Sequence, residues 1–297
     1  MLPIEGYLTT QDGVRLYFQK FGSSPNALII PNAVHMFESF KHLGDTRTVI
    51  FFDLRNRGRS EPVNDGSKLA RGIHNDVDDI EAVRRHFEID QVDLIGHSYV
   101  GLTVILYALK YPAHIHRIVQ IGPAQPKAAT QYPAHLTGAD ATLAAFLSQL
   151  AQPPDPQSDP VEGCRKFWDL IRVVMVADAA DAGKIDWTPC DCPNEVNFMK
   201  HWIQNIAPSI QALRIADEVS KVKAPVLTIH GRRDRQSPYG AGREWAKILP
   251  DARLVTVEHA AHVPWIEAPE LVFGAIETFL HGAWPEAAEE VKSLDVT

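Results

Sequence analysis

The sequence predicts an α/β fold, a mostly parallel sheet covered by helices on both faces and interrupted by a helical insert. Three observations carry this expectation. Strand-like apolar runs alternate with helix-like runs from Ala27 to Gly122. The alternation stops between about Pro123 and Ile215, then resumes at Val222. Finally, the short branched run Val92-Asp93-Leu94-Ile95 passes through Gly96-His97-Ser98-Tyr99-Val100-Gly101 directly into helical spacing at Leu102, Ile105, Leu106 and Leu109. The expected organisation is a core domain of residues 1–122 and 216–297 with a helical cap subdomain at 123–215.

Taken in order, Gly6–Thr10 and Val14–Phe21 read as a hairpin about Asp12-Gly13. Ala27–Ile30 and Val49–Phe52 are buried strands, and Leu69–Phe87 a helix with Ile73, Val77, Ile80 and Phe87 on one face. The Ser98 helix stops at Tyr111-Pro112. After a proline-rich break at Pro153-Pro154-Asp155-Pro156, helical patterns fill Val161–Val176 and Asn194–Asn205. Strands return at Pro225–His230 and Leu254–Val257, a last helix covers Leu271–Leu280, and the charged tail after His281 is expected to fray.

Ser98 sits where a strand turns sharply into a helix, so its hydroxyl is exposed above free N–H groups that favour developing negative charge. This is the context a G-x-S-x-G nucleophile needs, although Val100 replaces the second glycine. The bland alternative is a helix-capping serine. A nucleophilic serine needs a base and an acid that orients the base. Asp234, in Gly231-Arg232-Arg233-Asp234, and His262, in Glu258-His259-Ala260-Ala261-His262, each follow the C-terminal end of a strand. Asp234 could instead cap the helix begun at Ser237-Pro238, and His259 competes as the base. Glu258 and Asp251 read as solvated carboxylates.

With these segments the chain resembles the α/β-hydrolase superfamily, in particular its cap-bearing esterases, C–C hydrolases, perhydrolases and proline iminopeptidases. Asp53-Leu54-Arg55-Asn56-Arg57-Gly58-Arg59-Ser60 is similar to the family's D-x-R-G-x-G-x-S turn, with Asn56 for its first glycine. Ala261 to Glu270 is similar to its GH-x-x-x-x-E-x-P-E segment. The resemblance runs from about Glu5 to about His281 and implies an α/β-hydrolase fold, a Ser98–Asp234–His262 triad with His262 as base, and an oxyanion hole. The hole would use the Tyr99 N–H and a donor from the loop after Ala27–Ile30. There the family's His-Gly is replaced by Pro31-Asn32-Ala33-Val34-His35-Met36, so the donor falls on the Ala33 N–H, with Asn32 supporting a positive φ. Asp53, Arg55 and Ser60 should brace their loop rather than react.

Candidate pocket residues are Val34, Met36, Val263 and Trp265, which flank these segments, and Trp168, Met175, Phe198 and Trp202 among the bulky residues of the insert. Such an apolar lining suits an uncharged ester. The expected activity is a serine carboxylesterase on small to medium apolar esters. The alternative is a proline iminopeptidase, suggested by Gly6-Tyr7-Leu8-Thr9-Thr10 and Asp12-Gly13-Val14-Arg15-Leu16, which would need Glu162, Asp191 or Glu195 turned toward a substrate amine. Perhydrolase, lactonase and C–C hydrolase stay open, and a non-catalytic small-ligand receptor is the reading from a different class.

The net charge of −8 and pI near 5.9, without a basic cluster, argue against nucleic acid and anionic membranes. The remaining expectations are a small-molecule substrate, no cofactor, no metal, cytoplasmic residence without a visible secretory leader, and an open question of a homodimer. His114 and His116 lack a third ligand at metal spacing. Cys190-Asp191-Cys192 could bind a metal or form a strained disulfide, but Cys164, Cys190 and Cys192 are expected as reduced thiols.

Overall fold

A computed structural model describes residues 3–126, 141–150, 159–192, 194–215 and 217–294. In chain order they form β1 (Ile4–Thr9), β2 (Arg15–Phe21), β3 (Ala27–Pro31), α1 (Ala33–Phe40), β4 (Thr48–Phe52), α2 (Ile73–His86), β5 (Val92–His97), α3 (Tyr99–Lys110) and β6 (Ile115–Ile121). The helices α4 (Ala141–Leu150), α5 (Pro160–Met175), α6 (Glu195–His201) and α7 (Ala207–Ala212) follow. Then come β7 (Val226–Gly231), α8 (Tyr239–Ile248), β8 (Ala252–Val257), α9 (Pro264–Glu267), α10 (Pro269–Leu280) and β9 (Ala288–Glu289). The strand order is β1-β2-β4-β3-β5 among the N-terminal strands and β7-β8-β9 among the C-terminal ones.

Internal contacts divide the chain into two compact units, one of Met1–Gly96, Thr103–Ile118 and Trp187–Arg214, the other of His97–Leu102, Val119–Asp186 and Ile215–Thr297. In the first, β1 pairs antiparallel with β2 and β2 with β4, while β3 runs parallel to β4 and β5. Continuous burial along β3 and β4 explains their unbroken apolar runs, because both faces of these strands are covered. Helix α2 buries Ile73, Val77, Ile80 and Val83. It begins later than the expected Leu69, since Gly66–Lys68 takes a short 3-10 turn and Gly72 adopts a φ of 53° just before the helix.

In the second unit β7 runs parallel to β8, and β9 adds antiparallel to β8. The tail therefore does not simply fray. Val291 is buried with Tyr239, Ala246 and Leu254, and this apolar contact holds the last strand against the sheet.

Between β6 and β7 the described residues are helical and contain no strand. Asp159 starts α5 by accepting from the Val161 N–H, with Pro160 in the first turn. α6 passes through a π-helical turn, Trp202–Ile206, into α7. Residues 153–156 lie outside the described residues. Cys164 and Cys190 are disulfide-bonded and Cys192 is free, against the expectation of three reduced thiols. Among the described residues no helix is long and apolar enough to cross a membrane.

Candidate active site

The strand β5 ends at His97 and α3 starts at Tyr99, leaving Ser98 alone at the corner with a φ of 59°. An L-residue rarely holds this left-handed conformation, and it costs on the order of 1–2 kcal/mol. Backbone hydrogen bonds impose it. The Ser98 N–H donates to the Ile121 carbonyl at 3.0 Å, and the Ser98 carbonyl accepts from Gly101 at 3.0 Å and Ala124 at 3.1 Å. Val100 is buried where the family motif has glycine.

Between Ile121 and Ala124 lies Gly122, with a φ of 49°. A Cβ there would stand 3.2 Å from both Asp234 Oδ2 and His262 Nδ1. The segment that grips the Ser98 backbone thus passes directly against Asp234 and His262. His97 adds a second link. Its ring lies 4.5 Å from that of His262, and its Nε2 donates to the His262 carbonyl at 2.9 Å. Burial, reinforced by the charge of His262, holds His97 well below the ordinary histidine range, so it serves as a neutral donor.

Asp234 is fully enclosed by donors. Its Oδ1 accepts from the Gln236 and Ser237 N–H groups at 2.8 and 2.9 Å, and its Oδ2 from His262 Nδ1 at 2.7 Å. These two N–H groups belong to the turn before α8, whose N-cap is Pro238 without a side-chain cap bond, so Asp234 orients His262 and does not cap that helix. Burial alone would raise the Asp234 carboxyl, but attraction to His262 and hydrogen bonds from His230 and His262 hold it well below the usual carboxylate range. An ionised Asp234 can only accept, which places the His262 proton on Nδ1 and leaves Nε2 with a lone pair.

The His262 loop is tied down by neighbours of both catalytic candidates. The His262 and Val263 N–H groups donate to the Met175 carbonyl at 2.9 and 3.3 Å. Glu267 accepts from the Ala177 and Ala261 N–H groups, each at 2.7 Å, and Arg235 donates to the Ala177 carbonyl at 3.1 Å and to that of Val176. His259 and Glu258 are exposed.

In the other unit, Asn32 precedes α1 with a φ of 73°, the left-handed conformation for which asparagine is better suited than most residues. The Asn32 N–H donates to Phe52, the Val34 N–H to the Asp53 carboxylate, and the His35 N–H to Asn32. The Ala33 N–H, buried, has no hydrogen-bond acceptor among the described residues. Asp53 also accepts from the Arg59 N–H, and Ser60 Oγ donates to the Asp53 carbonyl, so these residues brace the turn. Arg55 is held by Asp79 and Asp12.

Of the expected site residues, Ser98, Tyr99, Trp168, Met175, Asp234, His262, Val263 and Trp265 belong to one unit, and Asn32, Ala33, Val34, Met36, Phe198 and Trp202 to the other. Trp265 is buried edge-on to His97 at 4.8 Å, and Met175 is buried at the end of α5. Trp168 stacks edge-on to Phe167 at 5.9 Å. Phe198 lies 3.9 Å beneath the Arg57 guanidinium, Met36 and Val263 are buried, and Val34 and Trp202 are half-buried.

Sequence reasoning missed His97, Gly122, His230 and the roles of Arg235 and Glu267. Position offered a signal for some. Gly122 directly follows a strand, and Glu267 stands inside the motif that located His262.

Comparisons with known proteins identify the family. A family model described as alpha/beta hydrolase fold matches residues 30–170, and one described as TAP-like protein matches residues 200–290. The chain belongs to the α/β-hydrolase superfamily. It is 25% identical over 250 residues to the proline iminopeptidase PfmaB of Pestalotiopsis fici, covering 82% of this chain and 85% of that protein. It is 25% identical over 239 residues to a pimeloyl-[acyl-carrier protein] methyl ester esterase of Nitrosomonas europaea, covering 69% and 89%. Among solved structures, an esterase from Rhodococcus sp. ECU1013 superposes with a TM-score of 0.72 at 16% identity, covering 95% of this chain and 99% of that one.

Proposed function

We propose that the protein is a serine hydrolase that cleaves small to medium apolar carboxylic esters through an acyl-enzyme, with Ser98, His262 and Asp234 as its triad. The observation that carries this reading is the Asp234–His262 pair, joined at 2.7 Å beside the Gly122 segment that grips the strained Ser98 corner. The His262 Nε2 lone pair takes the Ser98 proton as Oγ attacks the ester carbonyl, and Asp234 stabilises the imidazolium that forms. His262 then returns the proton to the leaving alcohol. A water activated by the same nitrogen attacks the acyl-enzyme and releases the acid.

The tetrahedral oxyanion needs preorganised donors. We assign them to the Tyr99 N–H and, because it is buried and otherwise unpartnered, the Ala33 N–H. The insert 123–215, helical over α4 to α7, is assigned as a substrate-selecting cap.

A proline iminopeptidase is the second reading, favoured by the similarity to PfmaB. Against it stands the state of the insert carboxylates. Glu195 is buried, with both oxygens held by Arg57 Nε at 3.2 Å and Nη2 at 2.9 Å. A carboxylate so neutralised gives little attraction to a substrate amine. Glu162 is exposed and paired with Lys166, and Asp191 is exposed on a short turn.

The test is turnover of a chain-length series of p-nitrophenyl esters beside proline p-nitroanilide, for wild type and Ser98→Ala. Ester turnover that vanishes in the variant supports the esterase and gives its acyl preference. Cleavage of the anilide alone transfers the assignment to the iminopeptidase. A folded protein active on neither substrate overturns the proposal.

A further inference from the structure

We propose that His230 is a positioning residue for the acid of the triad, locking Asp234 Oδ2 in place through its own ring N–H; this rests on the serine-hydrolase reading above. His230 lies on β7, one turn of chain before Asp234, and is fully buried. Its Nε2 stands 2.9 Å from the Ser237 carbonyl and 3.2 Å from Asp234 Oδ2. A carbonyl only accepts, so Nε2 must carry a proton, and that N–H is shared between the two oxygens. The other nitrogen, Nδ1, is buried without a hydrogen-bond partner among the described residues and faces α8, where a Cβ at Gly242 would fall 2.4 Å from it. The ring is thus wedged in one orientation, with its donor aimed at the acid.

This contact completes the Asp234 carboxylate. Oδ1 takes its hydrogens from Gln236 and Ser237, and Oδ2 takes them from His262 and His230. A carboxylate has about four acceptor positions, and all are then used. Without His230, Oδ2 is held only by the ring it is meant to orient, and Asp234 and His262 can turn together. Ser237 closes the circuit: it donates through Oγ to the Pro123 carbonyl, next to Gly122, while its own carbonyl receives the His230 N–H.

Two substitutions separate positioning from packing. His230→Gln keeps a donor near the place of Nε2, whereas His230→Phe keeps a ring without one. For ester turnover, His230→Phe should lower kcat roughly tenfold to a hundredfold with KM little changed, the range expected for a lost hydrogen bond to a charged group. His230→Gln should stay within about threefold of wild type. The low-field proton resonance of the His262–Asp234 hydrogen bond, recorded in a Ser98→Ala background, should persist with Gln and weaken or vanish with Phe.

Unchanged kcat and resonance in a folded His230→Phe protein overturn the inference, as does an equal loss with Gln and Phe, which would make ring shape the operative property. Should His230→Phe not fold, His230→Leu takes its place under the same criteria. Ser98→Ala run alongside keeps the two readings apart, because turnover that survives it removes the serine mechanism whatever His230 does.

Discussion

The loop Pro31–His35 and the pair of loops bearing Asp234 and His262 reach order by opposite means. Around Asp234 and His262, the decisive contacts are made by side chains: carboxylate to imidazole at 2.7 Å, His97 to the His262 carbonyl at 2.9 Å, Glu267 to the Ala261 N–H at 2.7 Å. In Pro31–His35 the group we propose for chemistry is a backbone N–H, and the side chain of Asn32 need only tolerate a φ of 73°. A region that works through side chains must spell its residues in the sequence. A region that works through backbone needs only the right dihedrals, and several spellings provide them. The departure of Pro31-Asn32-Ala33 from the family's His-Gly is therefore weak evidence against function.

The sharpest break of this comparison is Asp234→Asn set beside Asn32→Gly. Asn at 234 keeps the volume but can turn an amide N–H toward His262 Nδ1, which favours the wrong tautomer. We expect kcat for the ester to fall by about 10⁴-fold, the scale known for loss of a triad carboxylate. Asn32→Gly should stay within about threefold, because glycine holds the same positive φ. Steady-state kinetics on the two purified variants decide it, and comparable losses would erase the contrast.

Asn32→Val is the complementary experiment. A β-branched residue resists the left-handed conformation, so the Ala33 N–H should lose its orientation. The expected cost is roughly 10²-fold to 10³-fold in kcat, the range for one oxyanion donor, with a smaller change in KM. If Val and Gly behave alike at position 32, the Ala33 N–H is not the donor.

The same contrast explains what was legible in the sequence. The strands came through because their burial is written locally: β3 and β4 are apolar throughout, and the Ser98 turn joins two opposed periodicities. Ser98, Asp234 and His262 stood out because each follows a strand end inside a short motif. His97 did not, since it becomes meaningful only through the His262 carbonyl that folding brings near across 165 residues, and His230, though four residues from Asp234, stood inside a run that reads as a buried strand. The bonding of Cys164 and Cys190 was hidden likewise, and the β9 tail because charged residues flank the buried Val291. Asn32 was read correctly as a positive-φ residue, whereas the Arg57–Glu195 pair, which decides against a free amine-binding carboxylate, was not foreseen.

Gly122→Ala sharpens the comparison where backbone and side chains meet. The new methyl would press on Asp234 Oδ2 and His262 Nδ1 at 3.2 Å, in a conformation with a φ of 49° that alanine adopts poorly. Strain of about 1–2 kcal/mol should appear as a lower Tm. Ester kcat should drop about tenfold as the pair is displaced, with binding less affected. A lowered Tm with unchanged kcat would show that the pair absorbs the methyl, and that side-chain contacts there are less exacting than argued.

The smallest expected effect concerns a histidine outside the candidate site. His97, His230 and His262 all have hydrogen-bonded ring nitrogens, whereas neither ring nitrogen of buried His201, on α6, has a partner among the described residues. Burial, with a lesser push from the Arg55 charge, brings His201 down to about 4. The unfolded chain, near the ordinary 6.5, therefore binds a proton that the folded chain refuses between pH 6.5 and 4. Stability should fall with pH across that window, by about 1 kcal/mol per pH unit at most from this residue. His201→Phe removes the ionisable group, so its stability relative to wild type should improve progressively as pH drops from 6.5 to 4 in urea denaturation. At pH 7.5 the difference reports only the change in packing. A pH-independent difference between the two proteins would mean that His201 is protonated in the folded chain, and that a solvated partner reaches it as partners reach the histidines of the site.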